Sequence, residues 1–150
     1  MQKPFESFTQ TIVEIERLQE VPEQDLVEPI QEGKWSIREI VAHLNAWDEQ
    51  CLHNWLPDMK DGAVLAAFPE VEQFNKEQLQ VREELGVKEI ITAFTTDRRK
   101  LVHQLSTVDP EVQFTIGEGK RQFSAESFAK MFAKHDQHHL EQIHAKLNEQ

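Results

Sequence analysis

The sequence predicts an all-α protein, a four-helix bundle with one long crossover connection, and three observations support that prediction. Apolar residues recur at spacings of three and four over several long segments, as they do on one face of a helix. Glycine and proline contribute only 5 and 6 of the 150 residues, and most of them lie between these segments. The length suits one compact core, so we expect residues 1–150 to form a single helical domain.

The first helix is predicted from Phe5 to Val21. Apolar residues at positions 5, 8, 12, 15 and 18 repeat every three or four residues and therefore share one face of a helix. Pro22, Pro29 and Gly33 interrupt the pattern that follows, because proline and glycine disfavour a continued helix. We therefore expect an irregular connection over residues 22–33.

The second helix has a clear start signal. Ser36 is a favoured N-cap residue, and Glu39 stands three positions later, where its side chain completes a capping box. The apolar face that follows predicts a helix from Ile37 to about Trp55, and Pro57 ends it.

The second half of the chain contains further helical segments separated by a short irregular region. A helical pattern runs from Val71 to Ser106 and breaks at Gly86, which predicts two helices or one broken helix. In residues 112–123 apolar and polar residues alternate around two glycines, a pattern that fits a small hairpin or an irregular loop equally well. The last helix is predicted from Ser124 to about Leu147.

Composition excludes several classes of function. The formal net charge is −11, so the average field repels nucleic acid and anionic membranes. No apolar run is long enough to span a bilayer, and the N-terminal residues lack the apolar core of a secretory signal, so we expect a cytoplasmic protein. The single cysteine, Cys51, excludes an intramolecular disulfide and a cysteine-based zinc cluster, and its place on an apolar face favours a buried thiol over a nucleophile.

Histidines are concentrated near the C-terminus, where four of the seven lie between positions 135 and 144. His135 and His139 are four residues apart and therefore share a face of the last helix, in the middle of its apolar stripe. Two buried imidazoles need partners, which a metal ion or hydrogen bonds from facing helices would provide. His138 falls at the edge of the stripe, and His144 points to the opposite, solvated side.

A third ligand is expected from another helix. His43 is the leading candidate, because it lies at the rim of the apolar face of the second helix, which suits a cavity wall. His53 lies on another side of that helix, and His103 stands in a pattern typical of a surface residue. The carboxylates of Asp48 and Glu49 either support a ligand histidine or belong to the solvated face, and the second interpretation is favoured.

Two motifs make the sequence similar to a known family. The run K-W-S-x-x-E-x-x-A-H-L-x-x-W-D-E begins at Lys34, and H-x-x-H-H-x-x-Q-I begins at His135. In this order and separation they resemble the DinB-like superfamily of small four-helix bundles, which are commonly dimeric and have a metal site of three histidines. The family's first histidine matches His43 and its pair matches His135 and His139, so the resemblance implies these three metal ligands.

The expected cofactor is a divalent metal ion, zinc or nickel, because both favour imidazole ligands. Three protein ligands leave a coordination position open, which is typical of catalytic sites. The resemblance implies a metal-dependent thiol transferase or hydrolase that acts on a small electrophilic molecule, with a low-molecular-weight thiol as partner. Two alternatives stay open: a non-catalytic protein that sequesters a small hydrophobic or toxic compound, and a bundle whose histidines only form hydrogen bonds.

A homodimer is also expected. The family resemblance implies one, and Val64, Leu65 and Phe68 lie in an irregular segment where we expect them to be exposed. Burial of these apolar side chains against a second copy would stabilise the assembly.

Overall fold

Four long helices and two short ones make up most of the molecule, which the computed structural model describes over residues 3–148. In chain order they are α1 (Lys3–Glu16), α2 (Glu23–Val27), α3 (Ile37–Gln50), α4 (Val71–Val81), α5 (Val87–Ser106) and α6 (Ala125–Asn148). Helix α1 packs against both α5 and α6, and α3 packs against α5, whereas α3 and α6 approach each other closely at fewer points. The predicted four-helix bundle is confirmed. Among its neighbouring helices, α3 and α6 have the least extensive contact.

Helix α3 begins with the predicted capping box. The Ser36 hydroxyl accepts a hydrogen bond from the Glu39 backbone N–H at 3.1 Å, and the Glu39 side chain accepts from the Ser36 N–H at 3.0 Å. The helix continues beyond its last α-helical turn through a wider turn over Cys51–Trp55 and a tight turn over Leu56–Asp58. The predicted end near residue 55 is therefore confirmed.

Loss of this cap is expected to weaken the fold measurably. Ser36→Ala should lower the free energy of unfolding by about 1 kcal/mol, because the Glu39 N–H loses its acceptor at a buried helix start. Urea unfolding followed by circular dichroism measures the change. Ser106→Ala, an exposed position at the end of α5, is the matched control and should change the free energy by less than about 0.5 kcal/mol. Equal effects of the two substitutions would contradict the role of the cap.

The segments on either side of α3 differ in how well the sequence predicts them. The helical region after residue 70 is split as predicted, with α4 ending at Val81 and α5 starting directly after Gly86. The connection over residues 22–33 is less irregular than expected, because α2 forms directly after Pro22. Its first turn carries acidic residues, which favour a helix N-terminus, and Leu26 anchors it in the core.

A two-stranded parallel sheet joins two distant segments at one end of the bundle. Strand β1 (Val64–Leu65) pairs with β2 (Thr115–Ile116) in the register 64 to 115 and 65 to 116. Of the two forms open for residues 112–123, a small hairpin or an irregular loop, the structure has a largely irregular segment with one antiparallel bridge, in which Phe114 and Phe123 exchange both backbone hydrogen bonds. Gly117 turns the chain with φ of +58°, and a Cβ there would lie 2.9 Å from the Ala67 Cβ.

The apolar segment expected to be exposed is only partly so. Val64 and Phe68 are 67% and 43% exposed, whereas Leu65 is 1% exposed and packs in the core. The expectation for Leu65 is wrong because pairing in β1 sends successive side chains to opposite faces. The homodimer stays a prediction, with a smaller apolar surface to support it.

Two apolar clusters fill the interior. One surrounds Trp55 and Phe128, and it includes the buried Cys51 thiol, as predicted. The other surrounds Leu44 and Phe94. Among the described residues, no helix is long and apolar enough to cross a bilayer.

Candidate metal centre

Three histidine side chains from two helices meet between α3 and α6. His43 projects from α3, and His135 and His139 project from successive turns of α6. Their potential ligand nitrogens all lie within 4.8 Å of one another. The structure thus brings together the three residues that the sequence analysis singles out, and metal ligation by them stays a prediction.

The separation of two of these nitrogens suits one small divalent ion. His43 Nε2 lies 3.1 Å from His135 Nε2. Imidazole nitrogens that bind zinc at about 2.0–2.1 Å are separated by about 2.8–3.4 Å for bond angles between about 90° and 109°. The pair therefore fits the coordination shell of one ion as it stands.

Two of the imidazoles have partners on their Nδ1 side. His43 Nδ1 lies 3.1 Å from Asn75 Oδ1, which also accepts a hydrogen bond from Trp47 Nε1 at 3.0 Å. His139 Nδ1 lies 2.8 Å from Gln142 Oε1. Contacts of this kind orient metal-binding imidazoles and leave the Nε2 atoms to face a common ion.

Burial keeps the three imidazoles neutral at pH 7. It lowers the pKa of His43 to about 3 and the pKa of His135 to about 4, with the charges of neighbouring histidines as a further cause in both cases. Burial also lowers the pKa of His139. Because a metal binds only the neutral imidazole, the folded chain holds its candidate ligands in the required form.

An aromatic side chain and a cleft border the histidine cluster. The Trp35 ring centroid lies 4.9 Å from that of His43 and 6.4 Å from that of His139. A cleft of about 240 Å³ lies between the segment before α3 and α6, with Lys34, Trp35, His139 and Gln142 in its walls. A second cleft of about 280 Å³ shares Lys34 and Gln142 with it. Space for a small molecule therefore adjoins the cluster.

A buried ion cluster ties together the helices that carry the histidines. Arg98 of α5 donates to both carboxylate oxygens of Asp48 on α3 and of Asp136 on α6, at 2.7–3.0 Å. Its remaining N–H donates to the Phe8 carbonyl at 3.1 Å, and the Thr11 hydroxyl donates to Asp136 at 3.0 Å. The expectation of a solvated Asp48 is wrong, because this carboxylate is one of the two that neutralise a buried guanidinium.

The charges in this ion cluster depend strongly on one another. Burial raises the pKa of Asp48 to about 7, against the opposing attraction of Arg98. Burial alone would lower the pKa of Arg98, but the charges of Asp136 and Asp48 outweigh it and leave that pKa raised. Arg98 is therefore charged at pH 7.

Glu49 meets the expectation of a carboxylate on the solvated face. Its side chain is partly exposed and pairs with Arg82 at 2.5 Å.

The other four histidines lie outside the cluster. His144 and His103 are exposed, in agreement with the sequence analysis, and His53 is exposed too. His138 is exposed as well, although its ring centroid lies 5.0 Å from that of His139. None of these four belongs to the group of nitrogens that converges among the described residues.

The sequence pattern does not predict the contacts of Asn75 and Gln142. Gln142 follows His139 by three residues, and this helical spacing is a local signal by which its contact could be found. Asn75 lies on a different helix from His43, 32 residues away, and no periodicity connects the two.

Comparisons with known proteins agree with this architecture. A model of the DinB superfamily matches residues 13–143. YfiT from Bacillus subtilis, described as a probable metal-dependent hydrolase with an unusual four-helix bundle topology, superposes with a TM-score of 0.74 at 14% sequence identity. The alignment covers 99% of this chain and 89% of that one, and at this identity it shows a shared fold. No curated protein sequence gives a significant match. Because the family model spans most of the chain, the predicted resemblance is confirmed, and the chain belongs to the DinB superfamily.

Proposed function

We propose that this protein is a metal-dependent hydrolase or thiol transferase that acts on a small electrophilic molecule. His43, His135 and His139 would hold one divalent ion, for which zinc and nickel are the candidates. The observation that carries the proposal is the convergence of three neutral imidazoles, two of which have Nε2 atoms 3.1 Å apart. The description of YfiT as a probable metal-dependent hydrolase supports it.

The chain's own residues have separate tasks in this proposal. Asn75 and Gln142 hold two of the imidazoles from their Nδ1 sides, and Trp35 covers the cluster on one side. When bound, a divalent ion supplies Lewis acidity that favours the anionic form of water or of a thiol at neutral pH. The chemistry thus needs neutral ligands, a partly dry site and room for the substrate.

The cleft beside Trp35 is the proposed route for the substrate. Its volume of about 240 Å³ suits a small molecule, and Lys34 places a positive charge in its wall. In a chain with a net charge of −11 this lysine favours a substrate or thiol that carries an anionic group. A low-molecular-weight thiol in the cytoplasm is the proposed partner.

Metal analysis of untagged protein tests the site first. Wild-type protein is expected to bind one equivalent of Zn²⁺, Ni²⁺ or Co²⁺, and His135→Ala should lose stoichiometric binding at micromolar protein, because two ligands do not hold the ion. His144→Ala is the control, since His144 lies on the exposed side of the same helix and should leave binding unchanged. Equal metal content in wild type and His135→Ala would refute the three-histidine site.

Turnover then separates the functional classes. The metal-loaded protein is assayed with an activated ester alone, and with an alkylating electrophile in the presence of a small thiol. Metal-dependent turnover in the first assay identifies a hydrolase, and turnover that requires the thiol identifies a transferase. Tight binding of the electrophile without turnover would contradict both and favour a sequestration protein.

A further inference from the structure

We propose that Asn75, held by Trp47, is a positioning residue that keeps the proton of His43 on Nδ1 and so directs the Nε2 lone pair into the metal centre. The consequence for metal binding rests on the proposed function. The position of the proton on His43 does not, because it can be measured in the chain without metal. It concerns a helix, α4, that the sequence does not connect with the site.

The side-chain amide of Asn75 has only one orientation that satisfies its neighbours. The Trp47 indole N–H can only donate, so the atom 3.0 Å from it must be the oxygen of the amide. The reversed amide would place an NH₂ group against an N–H and leave both donors without an acceptor. Asn75 Oδ1 is thereby assigned by chemistry, although oxygen and nitrogen of an amide are otherwise hard to tell apart.

The tautomer of His43 follows from that assignment. The same Asn75 oxygen lies 3.1 Å from His43 Nδ1, and an amide oxygen can only accept. Nδ1 must therefore carry the proton, and in a neutral imidazole Nε2 then carries the lone pair.

The tautomer of His135 is determined in turn. Its Nε2 faces His43 Nε2 at 3.1 Å, and two lone pairs at that distance would repel. In the metal-free protein His135 Nε2 must therefore donate to His43 Nε2, so the two imidazoles are opposite tautomers. Of these two imidazoles, His135 would then have to move its proton to Nδ1 when a metal binds, while His43 is already in the form that binds.

Helix α4 lies against α3, which places it to make this contact. None of its residues is fully buried. Phe74 packs on Trp47 with ring centroids 4.4 Å apart, next to the hydrogen bonds of Asn75. Trp47 follows His43 by four residues, so both side chains lie on the same face of α3 and Asn75 bridges them from α4.

Imidazole ¹⁵N spectra of the metal-free protein test the proposal directly. At pH 7 His43 is expected to show a protonated Nδ1 and an unprotonated Nε2, and His135 the reverse. On addition of Zn²⁺ the His43 pattern should persist, whereas His135 should change to the Nδ1-protonated form. A protonated Nε2 on His43 in the metal-free wild type would overturn the proposal.

Variants separate the tautomer effect from general damage to the fold. Asn75→Leu removes the acceptor and should weaken Zn²⁺ binding by about 10–100-fold, and Asn75→Asp, which keeps an acceptor oxygen, should restore it. Trp47→Phe keeps an aromatic ring but lets the amide rotate, so the His43 spectrum should become a mixture of tautomers. Gln80→Leu, the same type of change at an exposed position of α4, should have neither effect.

The two sets of measurements distinguish failure of this proposal from failure of the proposed function. If the wild type binds no metal but His43 shows the predicted tautomer, the metal site is wrong and the role of Asn75 in holding the proton stands. If the wild type binds Zn²⁺ and Asn75→Leu binds it equally tightly with an unchanged His43 spectrum, Asn75 is not a positioning residue. Circular dichroism confirms that each variant is folded.

Discussion

Arg98→Met is expected to lower the free energy of unfolding by about 3–5 kcal/mol, because it leaves two carboxylates buried without a counter-charge. Arg98 is 1% exposed, and all five of its N–H groups donate to oxygens of Asp48, Asp136 and the Phe8 carbonyl. Its guanidinium also lies 3.8 Å from the Phe8 ring centroid, so methionine fills part of the volume but replaces none of the polar contacts.

The next residue provides a matched control for this change. Arg99 pairs with Glu16 at 2.5 Å, but both side chains are more than half exposed, and exposed ion pairs contribute only about 0–1 kcal/mol. Urea unfolding of Arg98→Met and Arg99→Met therefore compares the same substitution at a buried and an exposed ion pair. If the two variants unfold at the same urea concentration, the buried cluster does not stabilise the fold.

The sequence predicts the helices well because the signals that define them are local. The apolar stripe of α1, the capping box at Ser36 and the break at Gly86 each lie within a few residues of the boundary that they mark. The pair His135 and His139 belongs to the same class, since helical spacing alone puts both imidazoles on one face. His43 is found by its place on an apolar face together with the family motif.

The contacts that the sequence does not predict join residues far apart in the chain. Arg98 belongs to the basic run Arg98-Arg99-Lys100, in which no local signal marks a buried side chain, and its partners Asp48 and Asp136 lie 50 and 38 residues away. Asn75 is likewise 32 residues from His43. Whether a charged or polar side chain is buried depends on such partners, and helical periodicity describes only the element that carries it.

Lowering the pH is expected to decrease the free energy of unfolding of the metal-free wild type more steeply than that of a variant without His43. In the unfolded chain an imidazole titrates near pH 6.5, whereas burial and the neighbouring histidines lower the pKa of His43 in the fold to about 3. Between these values the unfolded chain binds the proton and the folded chain does not. The contribution of neutral His43 to the free energy of unfolding is therefore complete above about pH 6.5. It is lost as the pH falls towards 3, by about 1.4 kcal/mol per pH unit.

Comparison with His43→Gln isolates this contribution from that of other groups. Asp48 acts in the opposite direction, because burial raises its pKa and the folded chain therefore takes up a proton there at a higher pH than the unfolded chain does. Asp48 is present in both proteins, so its contribution largely cancels in the difference between their free energies of unfolding.

Urea unfolding with a chelator at several pH values measures that difference. The free energy of unfolding of the wild type should exceed that of His43→Gln by less at pH 4 than at pH 6.5. His103→Gln should follow the wild type throughout, since the side chain of His103 is exposed. Parallel curves for the wild type and His43→Gln would show that His43 is not held neutral by burial, and the fold would then lack a ligand preformed for a metal ion.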